Sequence, residues 1–258
     1  MPSSPKPSSI PKPAKPFAGP HTLSIDIGGT GLKASVLDVK GTMETDRIKI
    51  DTPYPFTPAV MLKTLDQLIK PLPAFDRVSI GFPGVVREGR IITAPHFGNE
   101  IWKNFAMAET LQKKWGKPVR ILNDADMQGL AVIAGKGLEL VVTLGTGVGT
   151  ALFRNGELMP HLELAQHPVY DNKTYNEYIG DKVLKKKGPE KWNKRVIHAL
   201  KLLETLINYD RIYVGGGNAT QLTLKPPSNM KIVSNQAGIL GGIALWNDRP
   251  GQPGGVRE

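Results

Sequence analysis

The chain has 258 residues, 40% of them hydrophobic and 22% charged, which is the composition of a globular protein and excludes wholesale disorder. No cysteine is present, so disulfides and cysteine-ligated zinc or iron–sulfur sites are excluded. The formal net charge of +10 suggests a polyanionic partner or substrate.

Both ends of the chain have the composition of disordered tails. Residues 1–20 hold seven prolines, four serines and three lysines, and residues 247–258 hold two prolines and three glycines. Such segments bury too little apolar surface to offset the entropy of ordering. The N-terminus lacks the apolar stretch of a secretory signal, and no run of roughly 18 apolar residues occurs. We therefore expect a cytoplasmic protein with no membrane partner.

Apolar patterning between residues 21 and 246 predicts two mixed α/β halves rather than one sheet. Short apolar runs predict strands, and apolar residues repeating every three or four positions predict helices. No repeat of solenoid period is present. The predicted strands are 23–27, 32–37, 47–50, 77–82, 119–122, 138–144, 150–153, 211–214 and 231–233. The predicted helices are 61–69, 105–115, 125–133, one starting at 174, 189–207 and 237–245.

Two glycine-rich turns follow apolar strands, at residues 28–31 and 145–149. Gly29, Gly31 and Ala34 formally fit the dinucleotide-binding fingerprint, but that fingerprint needs a helix directly after the turn. A strand is predicted there instead, which favours a β-hairpin. Backbone N–H groups of such a turn can hold phosphate, and the alternative is a tight hairpin that only needs glycine. Two turns, each with a threonine hydroxyl, favour a phosphate clamp.

Two acidic segments stand where strands end. Asp26 lies in an apolar strand, and it is either a satisfied structural aspartate or a magnesium ligand, directly or through water. Asn123-Asp124-Ala125-Asp126 lies where a strand meets a helix. Because Asn123 or Asp124 could simply cap that helix, the local pattern leaves its role open.

Five motifs stand in the order found in the ROK sugar kinases. They are Asp26-Ile-Gly-Gly-Thr30, Gly81-Phe-Pro-Gly84, Asn123-Asp-Ala125, Leu144-Gly-Thr-Gly-Val-Gly149 and Gly215-Gly-Gly217. The chain resembles this family from about Leu23 to Leu245, and it is most similar to the polyphosphate glucokinase branch. The segments that resemble that branch are Asp46-Arg-Ile-Lys49, Pro83-Gly-Val-Val86 and Asn235-Gln-Ala-Gly-Ile-Leu-Gly241.

The resemblance implies an α/β, actin-like (ribonuclease H-like) fold of two lobes with a central cleft. The small N-terminal lobe would comprise residues 21–122 with 235–246, and the large C-terminal lobe residues 123–234. Asp124 would be the general base that takes the proton from the sugar 6-hydroxyl as that oxygen attacks the terminal phosphoryl group.

The resemblance also implies two sets of binding residues and a magnesium position. The substrate would be bound by Asn123, Glu163, Gln166, Pro83 and Gly84. Phosphate or nucleotide would be bound by Asp26, Gly28, Gly29, Thr30, Lys33, Gly145, Thr146, Gly147, Gly215, Gly216 and Gly217. Mg²⁺ would lie near Asp26, held directly or through water.

Two departures from the family pattern concern the sugar site and zinc. Many members carry Glu-x-Gly-His, whereas here Glu163 is followed by Leu-Ala-Gln166-His167, so Gln166 stands in place of the histidine. Glutamine can still bond sugar hydroxyls, but the preferred hexose is left open. His167 either compensates or is a surface histidine. The cysteine-bound zinc of many members has no ligands here, so no zinc is expected.

A basic segment from Lys182 to Arg195 holds seven cations against one acid, Glu190, and so carries +6 of the net charge. It is either a solvated helix face or a track for polyphosphate. Nucleic acid is a weaker alternative, because no helix-turn-helix precedes the kinase body. The track would consist of Lys182, Lys185, Lys186, Lys187, Lys191, Lys194 and Arg195.

These features together predict a glucokinase that transfers a phosphoryl group from polyphosphate or ATP to the 6-hydroxyl of glucose with Mg²⁺. The alternatives are a kinase for another hexose such as mannose, and a non-catalytic sugar sensor. The presence of both Asp26 and Asp124 argues against the sensor. Donor preference and oligomeric state stay open, with a homodimer as one option.

Overall fold

The computed structural model describes residues 19–234 and 236–247. The predicted tails therefore lie, except for residues 19, 20 and 247, outside the described residues. The strands are β1 (Thr22–Ile27), β2 (Gly31–Leu37), β3 (Ile48–Asp51), β4 (Arg77–Phe82), β5 (Val86–Arg87), β6 (Arg90–Ile91), β7 (Val119–Asn123), β8 (Leu138–Leu144), β9 (Val148–Arg154), β10 (Glu157–Leu158), β11 (Pro168–Tyr170), β12 (Lys173–Thr174), β13 (Arg211–Gly215) and β14 (Met230–Ile232). The helices are α1 (Pro58–Ile69), α2 (Asn99–Trp102), α3 (Met107–Trp115), α4 (Asp124–Leu130), α5 (Tyr175–Ile179), α6 (Asp181–Lys187), α7 (Pro189–Ile207) and α8 (Ala237–Leu240). Three 3₁₀ segments are Leu164–Gln166, Gly217–Gln221 and Gly241–Trp246.

The first half forms a five-stranded sheet in the order β3-β2-β1-β4-β7. β1 is antiparallel to β2 and parallel to β4, and β4 is parallel to β7. The second half forms another five-stranded sheet, in the order β10-β9-β8-β13-β14, with β8 antiparallel to β9 and parallel to β13. Both glycine-rich turns thus join antiparallel neighbours, which confirms the predicted hairpins.

Apolar and polar side chains alternate along β1, and this alternation determines what packs on each face of the first sheet. Its apolar residues point to one side, where α1 and α3 bury them. Ser24 and Asp26 point to the other side, where the Ser24 Oγ donates to the Ile239 carbonyl at 2.7 Å. The Oγ of Ser79 in β4 donates to the Gly242 carbonyl at 2.6 Å. These small polar side chains let the C-terminal segment pack directly on the sheet.

Helix α4 lies between the two sheets and contacts both. A Cβ added at Gly81 in β4 would stand 3.2 Å from the Cα of Asp124, a tight contact that glycine avoids. On the opposite side, Ala125 and Met127 pack in one buried cluster with Phe153 of β9. The N-terminus of α4 is therefore fixed at the junction of the two halves.

Four predicted helices have different bounds in the structure. The helix expected at 61–69 begins at Pro58, and the helix expected at 125–133 spans Asp124–Leu130. The helix expected at 105–115 begins at Met107, because the Phe105 carbonyl accepts a hydrogen bond from the Ile91 N–H at 3.0 Å in a β-bridge. The helix expected at 237–245 is a short α8 followed by a 3₁₀ segment, since Gly241 packs tightly on the backbone of α4. Within residues 19–234 and 236–247, no helix combines the length and apolarity needed to cross a membrane.

Candidate active site

A cleft of about 430 Å³ runs between the two halves, with both glycine-rich turns on its walls. Most of the predicted site residues line it. They are Asp26, Gly28, Gly29, Thr30, Lys33, Pro83, Gly84, Asn123, Asp124, Gly145, Thr146, Gly147, Glu163, Gln166, Gly216 and Gly217. Gly215 ends β13, is buried, and does not line the cleft.

Asn123 positions Asp124 by capping α4. Its Oδ1 accepts hydrogen bonds from the N–H groups of Ala125 at 2.8 Å and Asp126 at 3.3 Å. Its Nδ2 donates to the Gly84 carbonyl at 3.1 Å. Asn123 is therefore the helix cap that the local pattern allowed, and it also ties the Pro83-Gly84 turn to the start of α4.

The carboxyl of Asp124 projects into the cleft from the first turn of α4. Burial by the surrounding protein, followed by the nearby charge of Asp26, raises the pKa of Asp124 to about 7. The N–H of Ala125, 2.9 Å from Oδ1, opposes that rise. A carboxyl with this pKa can exchange a proton near neutral pH, as a general base must.

Asp26 also lines the cleft, and its carboxylate is paired with a cation. Lys33, directly opposite it on β2, places its Nζ 2.9 Å from the Asp26 Oδ2. Both side chains are largely buried, at 17% and 21% exposure. The pair gives this side of the cleft one carboxylate and one ammonium next to the first glycine-rich turn.

The two glycine-rich turns meet across the cleft. A Cβ added at Gly29 would lie 3.5 Å from the Cγ2 of Thr146. In the part of the chain that the structure describes, the N–H groups of Gly29, Thr30, Thr146 and Gly147 donate to no protein acceptor. The turns thus offer backbone donors and two threonine hydroxyls, which is a suitable lining for phosphate.

The wall of the cleft that holds Glu163 carries two histidines that the sequence did not single out. Burial alone would lower the pKa of His161, but its hydrogen bond to Asp126 and the nearby carboxylate of Glu163 outweigh that effect and raise the pKa to about 10. His96 also lines the cleft, and its Nε2 would be 3.2 Å from a Cβ added at Gly147. Neither histidine belongs to a recognisable motif, so only three-dimensional proximity identifies them.

Gln166 and His167 differ in position. Gln166 closes a 3₁₀ turn, is exposed, and lines the cleft. His167 is exposed and is not among the residues that line the cleft. The structure therefore favours the surface-histidine alternative for His167.

The basic segment is divided between α6 and the start of α7. Among its seven cations only Lys185 lines the cleft, and its Nζ lies 2.6 Å from the Asp181 Oδ2. Arg195 stacks 4.7 Å from the Tyr178 ring centre, and Lys194 pairs with Glu190 at 3.0 Å. The remaining cations, Lys182, Lys186, Lys187 and Lys191, are exposed and lie outside the cleft lining.

Comparison with known proteins identifies the family. The ROK family model matches residues 22–160. The polyphosphate glucokinase of Mycobacterium tuberculosis is 34% identical over 238 residues, covering 86% of this chain and 89% of that protein. The inorganic polyphosphate/ATP-glucomannokinase from Arthrobacter sp. strain KM has a TM-score of 0.78 and 28% identity, covering 87% of this chain and 97% of that one.

A further solved structure agrees in fold. The ROK family glucokinase from Streptomyces griseus, in complex with glucose and AMPPNP, has a TM-score of 0.74 at 17% identity, covering 87% of this chain and 98% of that one. These likenesses confirm the α/β, actin-like (ribonuclease H-like) fold expected from the sequence. The chain therefore belongs to the ROK family.

Proposed function

We propose that this protein is a glucokinase that transfers a phosphoryl group from polyphosphate or ATP to the 6-hydroxyl of glucose. The observation that carries the proposal is Asp124, whose pKa is raised to about 7 at the start of α4, between two glycine-rich turns. A base beside a phosphate-binding wall suits phosphoryl transfer to a hydroxyl. The relatives named above, a polyphosphate glucokinase and a polyphosphate/ATP-glucomannokinase, support the same substrates.

In the proposed reaction, Asp124 takes the proton of the sugar 6-hydroxyl. The hydroxyl oxygen forms a bond to the terminal phosphorus, and the bond from that phosphorus to the bridging oxygen of the donor breaks. The electron pair leaves with the donor as ADP or as a polyphosphate shorter by one unit. Asp124 then releases its proton to solvent. Catalysis rests mainly on positioning and on stabilising the charge of the transferring group.

The donor would lie along the two glycine-rich turns. The unpartnered N–H groups of those turns, with the hydroxyls of Thr30 and Thr146, would bind its phosphate oxygens. Lys33 would add a positive charge at the terminal phosphoryl group. Gly216 and Gly217, with buried Gly215 behind them, would lie against the adenosine of ATP or along the phosphate chain.

Mg²⁺ would be held by Asp26 together with the donor. Within the described ranges, no group of three or more His, Cys, Asp or Glu side chains is arranged to hold a metal ion. Mg²⁺ in kinases commonly uses one or two carboxylates and completes its shell with water and substrate phosphates, so a single carboxylate at this wall fits. When bound, Mg²⁺ would neutralise charge on the donor phosphates.

The sugar would be bound by Glu163, Gln166 and the Asn123-to-Gly84 turn. Replacing Gln166 with alanine should raise the glucose KM by roughly fivefold, because one hydrogen bond contributes about 1 kcal/mol. The kcat should change little, since Gln166 is proposed to contact a sugar hydroxyl and not the base Asp124. Steady-state kinetics with His167→Ala as the matched control tests this. Unaltered KM in Gln166→Ala would move the sugar subsite elsewhere.

Lys185 is proposed as the first cation of a polyphosphate track. Replacing Lys185, Lys186 and Lys187 together with glutamine should raise the KM for long polyphosphate several-fold and leave the KM for ATP nearly unchanged. A long anion releases more counterions, so the polyphosphate KM should also rise more steeply with salt in the wild type, by analogy with DNA binding.

Two matched variants distinguish the contribution of Lys185 to polyphosphate binding from that of Lys186 and Lys187. Lys185→Gln alone should account for most of the change at low salt, because Lys185 lines the cleft and Lys186 and Lys187 do not. The double variant Lys186→Gln/Lys187→Gln should have a smaller effect on polyphosphate. Equal effects on both donors would mean that the segment is only a solvated helix face.

Mannose is a second candidate acceptor, because the structurally similar Arthrobacter protein is a glucomannokinase.

We also propose a cytoplasmic location, because ATP and sugar phosphates are cytoplasmic metabolites. A homodimer is proposed on the exposed apolar side chains of Leu202 and Leu206, which lie one turn apart on the same face of α7. Sedimentation equilibrium of the purified chain tests it, and a monomer at micromolar concentration would contradict it.

A further inference from the structure

His161 connects the helix of the proposed base to the proposed sugar carboxylate. Its Nδ1 lies 3.1 Å from both carboxylate oxygens of Asp126, which is on α4 two residues after Asp124. Its buried Nε2 makes no hydrogen bond in the described residues and lies 3.7 Å from the Oε1 of Glu163, which is an ion-pair distance. The imidazole is largely buried, at 10% exposure, and the carboxylate of Asp126 is more so, at 4%.

The surroundings of His161 favour its protonated form. The carboxylates of Asp126 and Glu163 face opposite nitrogens of the ring, and that of Asp124 lies close enough to interact with its charge. A neutral imidazole has a proton on one nitrogen only, so its other nitrogen would turn a lone pair toward a carboxylate. The raised pKa of His161 is consistent with an imidazolium throughout the physiological range.

Glu163 needs such a partner because its own backbone setting does little to fix it. It precedes a three-residue 3₁₀ turn and makes no side-chain cap hydrogen bond there. Its side chain is 31% exposed in the cleft wall. A flexible carboxylate must lose rotamer freedom when a sugar binds, and a neighbouring buried cation lowers that cost by orienting the carboxylate beforehand.

We propose that His161 is a positioning residue for the sugar subsite, which holds the Glu163 carboxylate toward the acceptor and ties it through Asp126 to the helix that carries Asp124. This inference rests on the proposed function, since it takes Glu163 to contact the sugar. It adds an Asp126–His161–Glu163 chain that no motif in the sequence indicates. The role of His161 is exerted through Glu163 and not through contact with the reacting atoms.

The test is a double-mutant cycle on glucose affinity, measured by calorimetry without donor. His161→Gln should weaken glucose binding by about tenfold, because it removes a charge-assisted partner while its amide can still donate to Asp126. In the Glu163→Gln background the same substitution should have almost no further effect, since the carboxylate on which His161 acts is gone. The control His167→Gln, six residues away and exposed, should leave affinity unchanged.

Kinetics separate positioning from damage to the fold. His161→Gln should raise the glucose KM by about tenfold with kcat within about threefold of wild type and with an unchanged cooperative melting transition. In wild type, the imidazolium NMR signals of His161 should persist at pH 8.

Glucose affinity within twofold of wild type in His161→Gln, or independent effects in the double variant, would overturn the inference. If Glu163→Gln alone binds glucose normally, the role of His161 and the sugar role of Glu163 both fall. Formation of glucose 6-phosphate by the wild type would still decide the proposed function separately.

Discussion

Replacing Asp124 with asparagine should lower kcat by roughly 10²–10⁴-fold while glucose still binds, because loss of a general base has an effect of this size. Asparagine keeps the shape of the side chain and cannot accept the proton. The cap of α4 should persist, since it is made by Asn123 and not by Asp124. Steady-state kinetics together with calorimetric glucose binding measures both consequences.

The pH profile of the wild type supplies an independent check on Asp124. Its pKa is raised to about 7, so the carboxyl is protonated below that pH and cannot act as base. Activity should therefore fall about tenfold for each pH unit below about 6. This fall in activity at acidic pH should be absent from the residual activity of Asp124→Asn.

The stability of the folded protein should change with pH in the opposite direction to its activity. A carboxyl whose pKa is higher in the folded than in the unfolded chain binds its proton more tightly when folded, so stability falls as pH rises from about 4 to 7. Asparagine carries no such penalty, and at pH 8 the variant should melt no lower than wild type.

Turnover of Asp124→Asn within a few-fold of wild type would refute the assignment of Asp124 as the base.

Replacing Asp26 with asparagine should lower kcat by at least roughly 10²-fold, the size seen when one fixed electrostatic contact to a transition state is removed. The variant should also need a higher Mg²⁺ concentration for half-maximal activity. Glucose binding without donor should be unaffected, because Asp26 faces Lys33 and the first glycine-rich turn.

Asp171→Asn is the matched control for Asp26. Asp171 also pairs with a lysine, Lys173, at 2.8 Å, but its side chain is 70% exposed and neither residue lines the cleft. Exposed pairs contribute little, so this variant should behave as wild type. Equal Mg²⁺ dependence in Asp26→Asn and wild type would remove Asp26 from the proposed metal site.

The strands and the glycine-rich turns that line the cleft could be predicted because their signals are local. β4 was predicted with its full bounds, and both glycine-rich hairpins follow from an apolar strand, a glycine run and a second strand. Order of motifs then added the family, its fold and the position of Asp124, which no single spacing could have supplied. The helix expected to start at 174 is α5, and Thr174 and Glu177 form a capping box at its start.

The remaining features depend on contacts between distant parts of the chain. The start of α3 shifts because Phe105 bonds Ile91, a pairing that periodicity does not contain. His161 and Asp126 are 35 residues apart, and although Asp126 follows the Asn123-Asp124 motif, nothing in the sequence pairs it with His161. The basic segment looked continuous, yet Gly188 divides it between two helices and only Lys185 reaches the cleft. The roles of such residues become visible only in the three-dimensional structure and not in the sequence pattern.

One measurement tests the central claim most directly: a coupled assay for glucose 6-phosphate with the purified full chain, glucose, Mg²⁺ and either long polyphosphate or ATP. The proposed function predicts product with at least one donor, and none when the donor is omitted. Asp124→Asn should form product at least a hundredfold more slowly, as expected for loss of a general base at roughly 10²–10⁴-fold. Glucose binding without product from either donor would contradict the account and identify a sugar sensor instead.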